Sequence, residues 1–173
     1  ADVILMGRHG RAGRLSLLVG KMTKRVIDQG FPRVLVAPRE RLLTGRQVLV
    51  AVDDSANGRQ AVREALSLAR TCTTLERLSV LSVARTEADR PQHQALAEAV
   101  CAEAAGLGPA PACVPLAAVG DPAACIVDRA RADRADMIII GAWRRGAMAG
   151  LLRGHVAERV IGTAPCGVLV VTA

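Results

Sequence analysis

The chain has 173 residues, of which 51% are hydrophobic, yet it carries one Trp, one Phe and no Tyr. This length supports one full domain with a sizeable core and some extra, and that core has to be built from Ala, Val, Leu and Ile. The shortage of aromatic residues argues against nucleic-acid modules that stack bases. The net charge of +7 is mainly arginine spread along the chain without a run of five basic residues, so it reads as a solvated surface.

Residues 1–37 and 135–171 align without gaps. Ala1 matches Ala135, Asp2 matches Asp136, Gly7 matches Gly141, and Gly20 matches Gly154. Arg25-Val26-Ile27 coincides with Arg159-Val160-Ile161, and Val34-Leu35-Val36 with Val168-Leu169-Val170. The chain thus holds two copies of one strand–loop–helix–strand unit, and only the second is preceded by a complete domain. The expected organisation is a C-terminal part of a first domain (1–40), a polar linker (41–46) and a complete domain (47–173). On this expectation, residues 1–37 are the tail half of a first domain whose front half is absent.

Pro38 ends the first unit and Gly45 marks the linker turn. Residues 47–52 (QVLVAV) read as a strand that ends in Asp53-Asp54-Ser55. A helix over 56–70 follows, with Ser55 or Asn57 as its cap and Ala61, Ala65, Leu66 and Ala69 on one face. A strand over 78–83, a polar loop, and a helix with Pro91 near its start come next. Gly106 to Pro109 ends that helix, and 112–116 is predicted as a short strand. Asp121 and Pro122 suit the cap and first turn of a helix over 122–133. The apolar run 137–140 reads as a buried parallel strand, a helix is expected over about 151–161, and 167–171 closes the chain as a second buried strand. Alternating strands and helices with short connections predict an α/β fold: a doubly wound, mainly parallel five-stranded sheet with helices on both faces.

The strand at 137–140, the loop with Gly146, Gly150 and Gly154, and the helix after it suit phosphate, because glycines let the backbone approach an anion and helix N-terminal amides point at it. This stretch resembles the C-terminal signature of the universal stress protein family, whose nucleotide-binding members carry Gly-x2-Gly-x9-Gly-Ser/Thr. Gly141 and Gly154 stand at the first and last glycine positions, Arg144 replaces the middle glycine, and His155 replaces the Ser/Thr. The first copy keeps Gly7, Gly10 and Gly20 at the family spacing, with Lys21 where Ser/Thr is expected. Residues 50–69 also resemble the family's opening motif, with Asp53 at the position that lies near the adenine and ribose.

The resemblance implies a Rossmann-like fold, similar to adenine nucleotide alpha hydrolases, with strand order 3-2-1-4-5. The ligand crevice then lies at the carboxyl ends of strands 1 and 4, beside Asp53 and Gly141. It further implies Asp53, Val83, Gly141, Arg144, Gly154, His155 and Val156 as cofactor-binding positions, with ATP or AMP, and Mg beside the nucleotide, as cofactors. Asp53 either bonds ribose hydroxyls, holds a metal, or caps its own loop. Arg144 either fills the phosphate crevice or turns outward to pair with an anion, and obstruction is the preferred reading. His155 either contacts phosphate or caps its helix.

No catalytic triad or ligand-spaced carboxylate or His/Cys cluster is visible, and His9 and His93 read as surface histidines. The leading functional expectation is therefore a non-catalytic, stress-linked binding or regulatory module with a degenerate ATP/AMP site. A dimerisation scaffold that binds no nucleotide, and a nucleotide-dependent ATPase or nucleotidyl transferase, are the alternatives. In the family, last strands pair antiparallel, so 33–37 and 167–171 are expected to meet in a tandem pseudo-dimer or a homodimer. Cys72, Cys101, Cys113, Cys125 and Cys166 form an odd set without CxxC spacing and read as reduced residues of a cytoplasmic protein. No apolar stretch approaches the length of a membrane span.

Overall fold

The structure is a computed structural model that describes residues 3–8, 21–29, 31–39, 43–106, 111–142 and 155–172. Seven strands form a single sheet: β1 (Ile4–Gly7), β2 (Arg33–Ala37), β3 (Gln47–Val52), β4 (Arg77–Ala84), β5 (Ala112–Val119), β6 (Met137–Gly141) and β7 (Gly167–Val171). Their order is β1-β2-β7-β6-β3-β4-β5. Within residues 47–173 this is the expected 3-2-1-4-5 order, all parallel. The sheet is larger than the five strands expected because the first unit adds two more. β1 pairs parallel with β2, and β2 pairs antiparallel with β7.

The helices are α1 (Lys21–Asp28), α2 (Ala56–Thr71), α3 (Arg90–Ala105), α4 (Pro122–Ala132) and α5 (His155–Thr163). Strand pleating sends alternate residues to opposite faces, and each face has its own core. Leu49, Leu81, Ile138, Ile140, Val168 and Val170 pack with Ile126 of α4, Val160 of α5 and Ile27 of α1. Val48, Val50, Leu78, Val80, Ile139 and Leu169 pack with Ala61 and Ala65 of α2 and with Ala97 and Val100 of α3. Small alanines on α2 and α3 let those helices lie close to the sheet, which is how a core almost without aromatics fills its volume.

Strand β5 runs three residues beyond the predicted 112–116, through Val119. Pro115 lies inside it and is tolerated because β5 is an edge strand, where a missing N–H leaves no ladder bond unmade. A 3₁₀ turn at Glu87–Asp89 occupies the predicted polar loop before α3. The cysteines correct the sequence reading: Cys101 on α3 and Cys113 on β5 form a disulfide, with Cα atoms 5.5 Å apart. Chain spacing hid this pair, because two residues without a recognisable motif meet only where α3 packs on β5. Cys72, Cys125 and Cys166 lie outside this disulfide.

Asp136, at the start of β6, ties the linker to the sheet. Its carboxylate accepts from the Thr44 hydroxyl and from the Arg46 amide at 2.9 Å. Gly45 supplies the turn between them at φ 67°, a conformation that disfavours a Cβ. A second left-handed residue, Arg134 at φ 52°, follows α4, where the Ala135 amide reaches back to the Ala130 carbonyl at 2.9 Å. This helix-ending turn normally takes glycine. Arg134→Gly is expected to raise the unfolding free energy by about 0.5–1 kcal/mol, read as an increased urea midpoint with unchanged slope.

Candidate functional site

The carboxyl ends of β3 and β6, adjacent in the sheet, are the point where strand order reverses: β4 and β5 lie to one side and β7 to the other. A crevice at such a point is where open α/β sheets receive ligands. Asp53 leaves β3 there as an exposed residue, and Gly141 ends β6. Val83, half-buried near the end of β4, packs against the core on the α4–α5 side, as does Val156 in the first turn of α5. Arg144 and Gly154 lie outside the described residues, as do His9, Gly10, Gly20 and the side chains of Lys21 and His155. Asp53, Val83 and Gly141 thus lie at the carboxyl ends of the neighbouring strands β3, β4 and β6, and Val156 lies on α5.

Asp53 is held by its own loop. Its carboxylate accepts from the Ser55 amide at 3.1 Å and from the Ser55 hydroxyl at 2.5 Å. Ser55 Oγ in turn accepts from the Gly58 amide at 2.9 Å, capping α2. Of the two expected cap residues, Ser55 performs the task, and Asn57 is buried. A hydrogen-bonded chain therefore fixes the aspartate relative to the helix N-terminus. Gly58 is part of the same fit, since a Cβ there would overlap the Asp53 carboxylate and backbone.

Gly141 answers a packing demand. A Cβ on it would overlap the Asn57 backbone carbonyl in the first turn of α2. Its counterpart one repeat earlier, Gly7, has open space around the same position. So the first glycine of the motif seats α2 on β6, and its contact is with protein backbone. Gly58 was missed by sequence reasoning, and Asn57 was expected only as a cap, although the run Asp53-Asp54-Ser55-Ala56-Asn57-Gly58 carried the signal.

Two polar pairs shape the edge further. Asp121 caps α4 by accepting from the Ala124 amide at 2.9 Å, and the Arg159 guanidinium of α5 grips it in a two-pronged contact at 2.7 and 2.8 Å. The hydrogen bond from Arg159, followed by the Ala124 amide, holds the Asp121 carboxyl below the usual carboxylate range. A lowered folded-state pKa stabilises the protein at neutral pH, and that contribution fades as acid protonates the group. Across the sheet, His93 Nδ1 lies 2.7 Å from the hydroxyl of Ser82, which also donates to the Val52 carbonyl at 3.1 Å. Thus His93, expected at the surface, is half-buried and braces the end of β3 next to Asp53. Ser82 is fully buried and has no access to a substrate. Among the described residues, no group of His, Cys, Asp and Glu side chains could hold a metal ion.

A family model described as the universal stress protein family matches residues 45–172. The chain belongs to the universal stress protein family. It is 39% identical over 75 residues to a Thermus aquaticus protein described as a universal stress protein in the QAH/OAS sulfhydrylase 3′ region, covering 43% of this chain and 55% of that one. The solved structure of a universal stress protein from Archaeoglobus fulgidus DSM 4304 matches 99% of this chain and 60% of its own, with TM-score 0.74 and 23% identity. A universal stress protein from Archaeoglobus fulgidus in complex with dAMP matches 73% of this chain and 97% of its own, with TM-score 0.57 and 22% identity. The chain thus spans 55% of that curated relative and 60% of the first of these structures. No helix among the described residues is long and apolar enough to cross a membrane.

The tight seat of Gly141 gives a test with an internal control. Gly141→Val is expected to cost about 1–3 kcal/mol because the new side chain displaces α2. Gly7→Ala, at the open counterpart, is expected to stay within about 0.5 kcal/mol. Urea unfolding of the two variants separates a packing role, with unequal losses, from a shared backbone role, with equal ones.

Proposed function

We propose that this universal-stress-family chain is a non-catalytic binding or regulatory module with a degenerate adenine-nucleotide site at the carboxyl edge of β3 and β6. The observation that carries this reading is the convergence of Asp53 and Gly141 on the strand-order reversal, the place where such sheets bind ligands. The donor set suits the ribose and base side of a nucleotide. Asp53 offers an exposed acceptor fixed by Ser55, and Val83 and Val156 offer apolar surface. A relative of the same fold holds dAMP, which supports ATP or AMP as the ligand class, with Mg arriving only with the phosphates.

The phosphate side is where the site degenerates. Arg144 and His155 stand where the motif has glycine and a small hydroxyl, and a long arginine side chain is bulkier than a position that lets phosphate approach the backbone admits. The packing of Gly141 against α2 fits the same reading, because this glycine serves the fold whether or not an anion binds. For the enzyme reading nothing comparable speaks: Asp53 is engaged by its loop, and Ser82 is sealed inside the sheet.

In this proposal residues 1–40 are the C-terminal part of a first universal-stress-type domain, 41–46 the linker, and 47–173 a complete domain. The repeat supports it, as does the surface of β1. Leu5 is 67% exposed, whereas its counterpart Ile139 is 0% exposed beneath α2. The chain then self-associates internally, as a tandem pseudo-dimer through β2 and β7.

Calorimetric titration of ATP into the natural chain and into Arg144→Gly/His155→Ser tests the site. The double variant is expected to bind at least about tenfold more tightly, roughly 1.4 kcal/mol. Equal, micromolar binding by both would make the two basic side chains phosphate ligands and overturn the obstruction. Silence from both would remove the nucleotide site and leave the scaffold.

A further inference from the structure

The β2–β7 ladder carries a local two-fold axis in its register. Val34 faces Val170, Leu35 faces Leu169, and Val36 faces Val168. In the internal repeat Leu35 is the counterpart of Leu169, so these two meet on the axis, and their neighbours are exchanged across it. Backbone bonds beyond the strands repeat the relation: the Arg8 amide donates to Ala37 at 2.7 Å, and the Ala142 amide to Val171 at 2.9 Å. Helices α1 and α5 obey it as well. Lys24 Nζ donates to Glu158 Oε1 at 2.6 Å, and Lys24 is the repeat counterpart of Glu158.

A residue beside a two-fold axis meets its own copy when two identical units pair. Two copies of the 47–173 domain joined through β7 would bring Glu158 against Glu158. Two first units would bring Lys24 against Lys24. The mixed pairing alone sets opposite charges there. Two more contacts are one-sided in the same sense. The Arg8 guanidinium donates to the carbonyls of Ile161 at 3.1 Å and Ala164 at 2.6 Å, at the end of α5, where a cation is favoured. Its counterpart, Ala142, cannot return the contact. Arg33 Nε donates to Glu64 at 2.7 Å, and its counterpart is Gly167.

We propose that these charges make the β7–α5 edge selective: it accepts the cation-bearing strand–helix–strand unit of the chain's own first repeat and rejects a second copy of the 47–173 domain. The inference deepens the internal pairing and is independent of nucleotide binding. Lys24 and Glu158 are each about one-third exposed, 31% and 34%, so their attraction is modest. Discrimination rests on the change of sign, since the wrong pairing replaces an attraction with a repulsion.

The test uses the full chain in four forms: natural, Lys24→Glu, Glu158→Lys and the reversed pair Lys24→Glu/Glu158→Lys. Urea unfolding is expected to show each single variant losing about three- to tenfold in folding equilibrium, with the reversed pair recovering most of the loss. Helix-end effects of each substitution cancel in this double cycle. The single variants are then refolded separately and mixed, and sized by sedimentation. Lys24→Glu and Glu158→Lys chains are repulsive in every pairing on their own but complementary with each other, so a dimer that exchanges first units is expected only in the mixture. A reversed pair no more stable than the singles overturns the proposal. So does a mixture that stays monomeric, or a natural chain that dimerises as readily as the mixture.

Discussion

The antiparallel pairing of β2 with β7 is the contact on which this architecture depends. Without it the first unit would be two short strands and a helix of eight residues, too small to bury a core of its own. With it, Val34 and Val36 are 1% and 2% exposed and join the same core as Val168, Val170 and Val160. The pairing also removes β7 as an open edge, which a strand made only of Val, Leu and Gly would otherwise present for aggregation. One interface therefore folds the first unit and protects the second.

The same sheet positions the candidate site. Parallel strands with helices on both faces leave their carboxyl ends in a row, and the strand order reverses between β3 and β6, the point where open sheets of this kind receive ligands. The protein fills part of this edge with itself. Ser55 ties Asp53 to the start of α2, Gly141 admits that helix, and Asp121 with Arg159 joins α4 to α5. These contacts make a rigid rim. They also give Gly141 a role in the fold that does not depend on an anion, since a Cβ there would overlap the start of α2.

Much of this was legible in the sequence for physical reasons. The gapless repeat announced two copies of one unit, and Val-Leu-Val runs at matching positions pointed to strands that could meet edge to edge. Strand alternation set the fold class, and Asp53 and Gly141 could be placed at strand ends. Other features were invisible because they depend on approach in space. Arg159 and Asp121 are 38 residues apart in sequence, and nothing local marks them as partners. The Cys101–Cys113 disulfide lacks any motif spacing. The tail of β5 was missed because Pro115 and two alanines weaken the strand signal, and only its edge position tolerates them. The contrast between Gly7 and Gly141, identical in pattern, appears only once α2 is seen against one of them.

Amide hydrogen exchange across β2 and β7 in the full chain tests the central claim most directly. If the two strands form one cooperative unit with the central sheet, the amides of both exchange only through global unfolding, at the same free energy as those of β3 and β6. Fast exchange throughout β2 beside a protected β7 would contradict the account, and the first unit would then be an appendage of the sheet instead of part of it.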